Sequence, residues 1–96
     1  MFSGTFGEME LIKRHILMLK ITKDNQPVGI IRLSEILDIP KHKVRYSLRL
    51  LEKEGLISPS TEGARVTEKY DSYMKDVESK LDDIVRMVER LKKELP

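Results

Sequence analysis

The side chains best suited to chemistry lie within nine residues near the middle of the chain, where cations and hydrogen-bonding groups are concentrated. They are Lys41, His42, Lys43, Arg45, Tyr46, Ser47 and Arg49. A guanidinium group can form two parallel hydrogen bonds with a base edge, and ammonium or hydroxyl groups can bind phosphate oxygens. This combination predicts a surface that binds nucleic acid.

A helix must present these side chains to solvent. Val44, Leu48 and Leu51 recur at the i, i+4, i+7 spacing that forms one buried stripe, so Arg45 and Arg49 should point the other way. Lys41, His42 and Tyr46 share that outer face. The helix is predicted to begin near Lys41 and to end at Gly55, which can adopt the left-handed conformation of a helix cap.

Elements on both sides of this helix are predicted from local signals. Before it, Leu33, Ile36 and Leu37 mark a short helix that Ser34 can cap, and residues 38–40 interrupt it. After it, Leu56 and Ile57 begin a strand, residues 58–63 form a turn, and residues 64–67 return as a second strand. These signals predict a β-hairpin with Arg65 outward and Val66 inward.

The segment RLSEILDIPKHKVRYSLRLLEKEGLI, with the hairpin after it, resembles the helix-turn-helix and wing of winged-helix DNA-binding proteins. The resemblance covers residues 9–69. One position departs from the pattern, because the turn usually carries glycine and this chain has Asp38. The resemblance implies a mainly α (α+β) fold, a winged helix-turn-helix with a two-stranded wing, and the function of a small prokaryotic or archaeal-type transcriptional regulator.

The resemblance also implies roles for the cationic residues, because the N-terminal half of the second helix enters the major groove in this docking. Arg45 and Arg49 would contact guanine edges, whereas Lys41, Lys43 and Ser47 would hold phosphates or the groove wall. Arg65 resembles the wing arginine that faces the minor groove or the backbone.

Three of these assignments have alternatives. Tyr46 could contact a phosphate or stack, or it could be a half-buried ring beside the wing. His42 could contact DNA or be merely solvated. Arg65 could instead form an ion pair with Glu62 or Glu68.

The remaining N-terminal part predicts one helix and one strand. Met9, Ile12, Ile16 and Leu19 repeat at helical spacing, which predicts a well-buried first helix from Glu8 to about Thr22. A polar turn over residues 23–27 follows. The β-branched run from Val28 to Arg32 then predicts a short strand.

The C-terminal part carries a heptad repeat, which predicts a long helix from Tyr70 to Leu95. The seam consists of Tyr70, Met74, Val77, Leu81, Ile84, Val88, Leu91 and Leu95. A helix this long exceeds what so small a domain can cover, so we expect a homodimer through a coiled coil. The predicted domains are therefore residues 1–69, the DNA-binding domain, and residues 70–96, the dimerisation helix.

The flanks of the seam are less regular. Val85 and Met87 occupy the e and g positions, where a two-stranded coil usually carries charges. The helix could therefore also pack on the first helix, on Phe2 and Phe6, or in a bundle larger than two. Parallel and antiparallel pairing both remain open.

Composition and charge exclude several other classes of protein. Of 96 residues, 40% are hydrophobic and 35% are charged, which is typical of a folded helical protein. The net charge is 0 over residues 1–40, +3 over residues 41–69 and −1 over residues 70–96, so the excess lies on the predicted DNA-binding elements. The absence of cysteine and of a signal-like or membrane-spanning apolar run predicts a cytoplasmic protein.

No enzyme, cofactor or metal site is predicted. The chain has no glycine-rich phosphate loop and no cysteine nucleophile. His15 has no partners at a spacing suited to a metal. Two hypotheses remain: a homodimeric regulator that binds specific double-stranded DNA, and a winged-helix module that joins a heteromeric protein assembly without DNA. The concentrated positive charge favours the first.

Overall fold

The structure, a computed structural model, describes all 96 residues as four helices and one small hairpin. In chain order the elements are α1 (Ser3–Asn25), α2 (Ile30–Leu37), α3 (Lys41–Lys53), β1 (Ile57–Ser58), β2 (Arg65–Val66) and α4 (Tyr70–Lys93). The order matches the predicted helix, helix-turn-helix, wing and long C-terminal helix. None of the helices combines the length and the apolar character that a membrane span requires.

The core lies where α1, α2 and α3 meet the hairpin. Its buried apolar side chains are Met18, Leu19, Val28, Leu33, Val44, Leu48, Leu51, Leu56, Ile57 and Ala64. Only the second half of α1 contributes, so the prediction of a well-buried first helix is wrong for its N-terminal half. Phe2 and Phe6 near the start of α1 are exposed.

The segment predicted as a strand from Val28 to Arg32 is mostly helical, and that prediction is wrong. Val28 alone forms a bridge, antiparallel to Ala64, and α2 already begins at Ile30. Ser34 is consequently not a cap but an interior residue of α2, and its hydroxyl donates to the carbonyl oxygen of Ile39 at 2.6 Å. Burial of Leu33 against the core overrides the β propensity of the isoleucines.

The turn between α2 and α3 depends on Asp38, which takes the place of the usual glycine. Asp38 adopts the left-handed conformation, with φ 54° and ψ 47°, and its N–H donates to the carbonyl oxygen of Ser34. Aspartate tolerates this region better than most residues. The turn therefore keeps the helix-turn-helix geometry without a glycine.

The exit from α3 is a Schellman cap. Gly55 has a φ of 76°, the N–H of Leu56 donates to Leu51 at 2.9 Å, and the N–H of Gly55 donates to Glu52 at 3.0 Å. This cap turns the chain directly into β1. The structure ends α3 at Lys53, two residues before the predicted end at Gly55, and Gly55 has the predicted left-handed conformation of the cap.

The wing is a hairpin of two-residue strands held against the rest of the domain. Ile57 pairs with Val66, and Ser58 pairs with Arg65. Ala64 and Val28 exchange two backbone hydrogen bonds of 2.8 and 3.1 Å, so the segment before α2 adds a third short edge. The predicted wing is confirmed, with each strand shorter than expected.

The helix α4 leaves the domain as an extension about 36 Å long and ends at Lys93, two residues before the predicted Leu95. None of its residues is fully buried. The molecule measures 57 × 27 × 20 Å. At the base, Lys23 of α1 lies 3.8 Å from the carboxylate of Asp71 and 4.3 Å from the ring centre of Tyr70, which ties α4 to α1.

Candidate nucleic-acid interface

The outer face of α3 is formed by the side chains that the apolar stripe forces outward. Val44, Leu48 and Leu51 are buried as predicted. The residues on the other side are exposed: Lys41, His42, Lys43, Arg45, Tyr46 and Arg49. Helical periodicity accounts for His42, Arg45, Tyr46 and Arg49, which lie on the side of the helix axis away from the stripe. Lys41 precedes Val44 by three residues and is exposed as the first residue of α3.

None of these exposed cations is engaged by a carboxylate. The salt bridges of the molecule join Lys23 to Asp71, Lys80 to Asp76 and Arg86 to Asp83. All three lie at or on α4. Lys41, Lys43, Arg45 and Arg49 thus form a cationic surface in which no cation is paired with a carboxylate.

Arg65 extends this surface onto the wing. Its side chain is exposed on β2, and it forms no ion pair with Glu62 or Glu68, the alternative that the sequence left open. At the tip of the wing, the hydroxyl of Ser60 donates to the carbonyl oxygen of Gly63 at 2.6 Å. The tip is therefore ordered by its own turn chemistry.

Ser47 does not belong to the exposed set, and its assignment to a phosphate or the groove wall is wrong. The residue is fully buried. Its hydroxyl oxygen accepts a hydrogen bond from Arg14 Nε at 3.0 Å and lies 3.1 Å from His15 Nε2. Ser47 follows Val44 by three residues, so it lies on the buried stripe and cannot meet a duplex.

This network fixes α3 on α1. In the neutral tautomer whose proton lies on Nδ1, His15 Nε2 accepts the proton of the Ser47 hydroxyl, while the oxygen of that hydroxyl accepts from Arg14. Burial lowers the pKa of His15, and the neighbouring Arg14 lowers it further, while Glu54 opposes the shift. A neutral imidazole is the form that can accept from Ser47.

Arg32 is a cation of the surface that sequence reasoning missed. It lines an open groove at the start of α3 together with Lys41 and Arg45. Glu35 of α2 lies in the same groove. The prediction of a strand over residues 28–32 concealed this relation, because only a helix beginning at Ile30 directs Arg32 to the same side as α3.

The structure shows no metal-binding arrangement of side chains comparable to the cationic surface. No group of three or more histidine, cysteine, aspartate or glutamate side chains could hold a metal ion. Tyr73 on α4 has its pKa raised by burial, with nearby Glu54 and Asp76 acting in the same direction. This group lies at the junction of α3 and α4, away from the cationic surface.

The architecture can be compared with known proteins. The chain is similar to the solved structure of a mutant of Lactococcus lactis ZitR in its apo form, with a TM-score of 0.57 and 20% sequence identity over 99% of this chain and 78% of the ZitR chain. The fold is a winged helix. No protein-family model matches the chain, and neither does any curated protein.

The division into a winged-helix domain over residues 1–69 and a dimerisation helix over residues 70–96 stays a prediction. The start of α4 at Tyr70 agrees with its boundary.

Proposed function

We propose that the chain is a homodimeric transcriptional regulator that binds double-stranded DNA through α3 and the wing. The observation that carries the proposal is the cationic surface of α3, on which Lys41, Lys43, Arg45 and Arg49 are exposed and form no salt bridge. Phosphate binding releases condensed counterions, so such a face gives salt-dependent affinity for any duplex. The two guanidinium groups can add sequence preference.

The roles of individual side chains follow from their places on the surface. Arg45 and Arg49 lie one helical turn apart on the outer face, a spacing suited to base edges along the major groove. Lys41 and Lys43 are suited to the flanking phosphates, and Arg65 to the minor groove or backbone beside the wing. His42 is an exposed polar residue near the start of the same face.

Two residues refine this assignment. Tyr46 is 54% exposed, so its side chain is accessible for contact with DNA while nearly half of its surface is covered. Arg32 should be added to the phosphate contacts because it shares a groove with Lys41 and Arg45. The first helix of a helix-turn-helix usually crosses the DNA backbone at such a position.

The dimer is proposed through α4. The seam residues Tyr70, Met74, Val77, Leu81 and Ile84 are only half-buried within one copy, and Val88, Leu91 and Leu95 are exposed. An apolar stripe of this extent exposed to water favours association with a second chain. Two copies would present two α3 helices to one site.

A titration of fluorescent duplexes selected from a random pool tests DNA binding. Arg45→Ala should weaken binding by about 1–3 kcal/mol and relax the sequence preference. Arg90→Ala is the matched control, because it removes the same charge from the exposed surface of α4 and should leave the affinity nearly unchanged.

The competing hypothesis, a protein-interaction module without DNA binding, predicts a different outcome. It requires that the wild-type chain bind duplexes weakly and that Arg45→Ala behave like Arg90→Ala. It also predicts that a heparin column does not retain the chain, whereas a DNA-binding chain is retained and then released by moderate salt. A steep salt dependence of the wild-type affinity, together with a loss of affinity and of sequence preference in Arg45→Ala, would favour the DNA-binding hypothesis.

A further inference from the structure

The exposed face of α4 has a chemical pattern that distinguishes between ways of pairing two copies. Glu78, Val85 and Lys92 occupy successive e positions, and Lys80, Met87 and Glu94 occupy successive g positions. Along each flank of the seam the middle residue is apolar and the two outer residues carry opposite charges. Val85 is 55% exposed and Met87 is 62% exposed.

We propose that the α4 helices of two copies pack antiparallel, in the register that places Val88 against the partner's Ile84 and Leu81 against the partner's Leu91. The proposal rests on the homodimer of the proposed function and specifies its geometry. In an antiparallel pair each a position meets a d position, each e faces an e, and each g faces a g. By two-fold symmetry every such contact occurs twice, except at the centre.

The centre of this register accounts for the apolar flanking residues. Val85 faces the partner's Val85, and Met87 faces the partner's Met87, on the two sides of the symmetry axis. Both pairs of side chains are thereby removed from water, although they would be exposed on an isolated helix. These two contacts widen the apolar strip at the middle of the paired helices, which is the part furthest from both ends.

The ends of the same register pair opposite charges. Glu78 faces the partner's Lys92, and Lys80 faces the partner's Glu94, with an axial offset of about two residues or 3 Å in each case. Symmetry gives four such ion pairs, two at each end of the apolar centre. Surface ion pairs contribute little to affinity, but they select between orientations.

The alternative arrangements lack this match. In a parallel coil each g position faces the e position five residues later on the other chain. Lys80 would then face the partner's Val85, and Met87 would face the partner's Lys92. An antiparallel register shifted by one heptad places Lys80 opposite the partner's Met87, or Met87 opposite the partner's Glu94. Each of these contacts sets a charge against an apolar side chain.

The proposed register also fixes the distance between the two winged-helix domains. Tyr70, the first residue of α4, would lie 32 residues along the common axis from the partner's Tyr70, which is about 48 Å. A parallel coil would instead place both domains at the same end. The orientation of the coil thus determines whether the two α3 helices are adjacent or widely separated.

Disulfide trapping tests the orientation, and the absence of native cysteines removes any background. Leu81→Cys and Leu91→Cys are made separately, one with an affinity tag, and oxidised alone and as a mixture. The antiparallel register predicts mixed covalent dimers from the mixture and little covalent dimer from either variant alone. Efficient trapping of each variant with itself would overturn the register while leaving the homodimer intact.

Charge reversal provides a second test that does not depend on disulfide geometry. Glu78→Lys and Lys92→Glu should each weaken dimerisation by about tenfold, measured by sedimentation, because each places like charges opposite one another at two sites. The double variant should restore the wild-type affinity. If both single variants dimerise normally, or the double variant is not rescued, the register is wrong. A wild-type chain that stays monomeric at all concentrations would instead overturn the homodimer itself.

Discussion

Replacement of Ser47 by alanine tests whether this residue stabilises the fold or contacts DNA. The change deletes the acceptor of the 3.0 Å hydrogen bond from Arg14 Nε and the 3.1 Å contact with His15 Nε2. It leaves the exposed face of α3 untouched. We therefore expect Ser47→Ala to act on the stability of the fold and only weakly on the affinity for DNA.

The expected loss in the free energy of unfolding follows from Arg14 and His15, which lose their hydrogen-bond partner. A hydrogen bond from a charged group contributes about 1.5–3 kcal/mol and a neutral one about 0.5–1.5 kcal/mol. Arg14 and His15 are only half-buried, so water can replace part of what they lose. Alanine also recovers about 0.5 kcal/mol of helix propensity. The free energy of unfolding should fall by about 1–2 kcal/mol.

The assay combines urea unfolding, followed by circular dichroism at fixed protein concentration, with a DNA titration at a temperature where every variant is folded. Lys43→Ala is the neighbouring control on the exposed face. It should leave stability within about 0.5 kcal/mol of the wild type and reduce the slope of log affinity against log salt by about 1. Normal stability of Ser47→Ala, combined with a loss of DNA affinity like that of Lys43→Ala, would refute the reasoning.

Three further changes test the turn, the buried histidine and the wing. Asp38→Val should lower the free energy of unfolding by about 2 kcal/mol, because a β-branched residue is strained at φ 54°, whereas Asp38→Gly should not destabilise the domain in the same urea assay. The lowered pKa of His15 means that the unfolded chain binds its proton first, so stability should be fully present above about pH 6.5 and fall as the pH drops toward the folded pKa. His15→Gln should flatten this part of a stability profile measured between pH 7.5 and 5.5, and an unchanged profile would contradict the assignment. Gly63→Ala should lower the free energy of unfolding by at least about 2 kcal/mol, because its Cβ would lie 2.8 Å from the backbone of Val28 and its φ of 134° is a glycine conformation. A normal thermal midpoint of this variant would contradict the close packing.

The elements that sequence predicts well are those with a long, regular period. Val44, Leu48 and Leu51 determine the orientation of α3 because no other arrangement buries all three, and Arg45 and Arg49 are exposed as a consequence. The capping glycine after α3 can be predicted equally well, since few residues adopt positive φ without strain.

The misplaced residues depend on contacts between distant parts of the chain. Ser47 occupies an interior position whose spacing was visible, but its partners on α1 lie more than 30 residues away. Without them, a hydroxyl beside cations resembles a phosphate ligand. Ile30 and Ile31 have β-branched side chains, and only packing of the following Leu33 makes them helical. Because of that error, Arg32 was not predicted to lie on the cationic surface.

The attachment of the wing has a consequence for the proposed binding of a duplex. One edge of the hairpin is held by Val28 through Ala64, and Thr67 donates to the carbonyl oxygen of Gly55 at 2.6 Å at the end of α3. The angle between helix and wing is thus set before any ligand arrives. Such preorganisation spares the entropy of ordering a loop. A duplex that accommodates both elements must itself have the matching groove width, so its deformability becomes part of the selection.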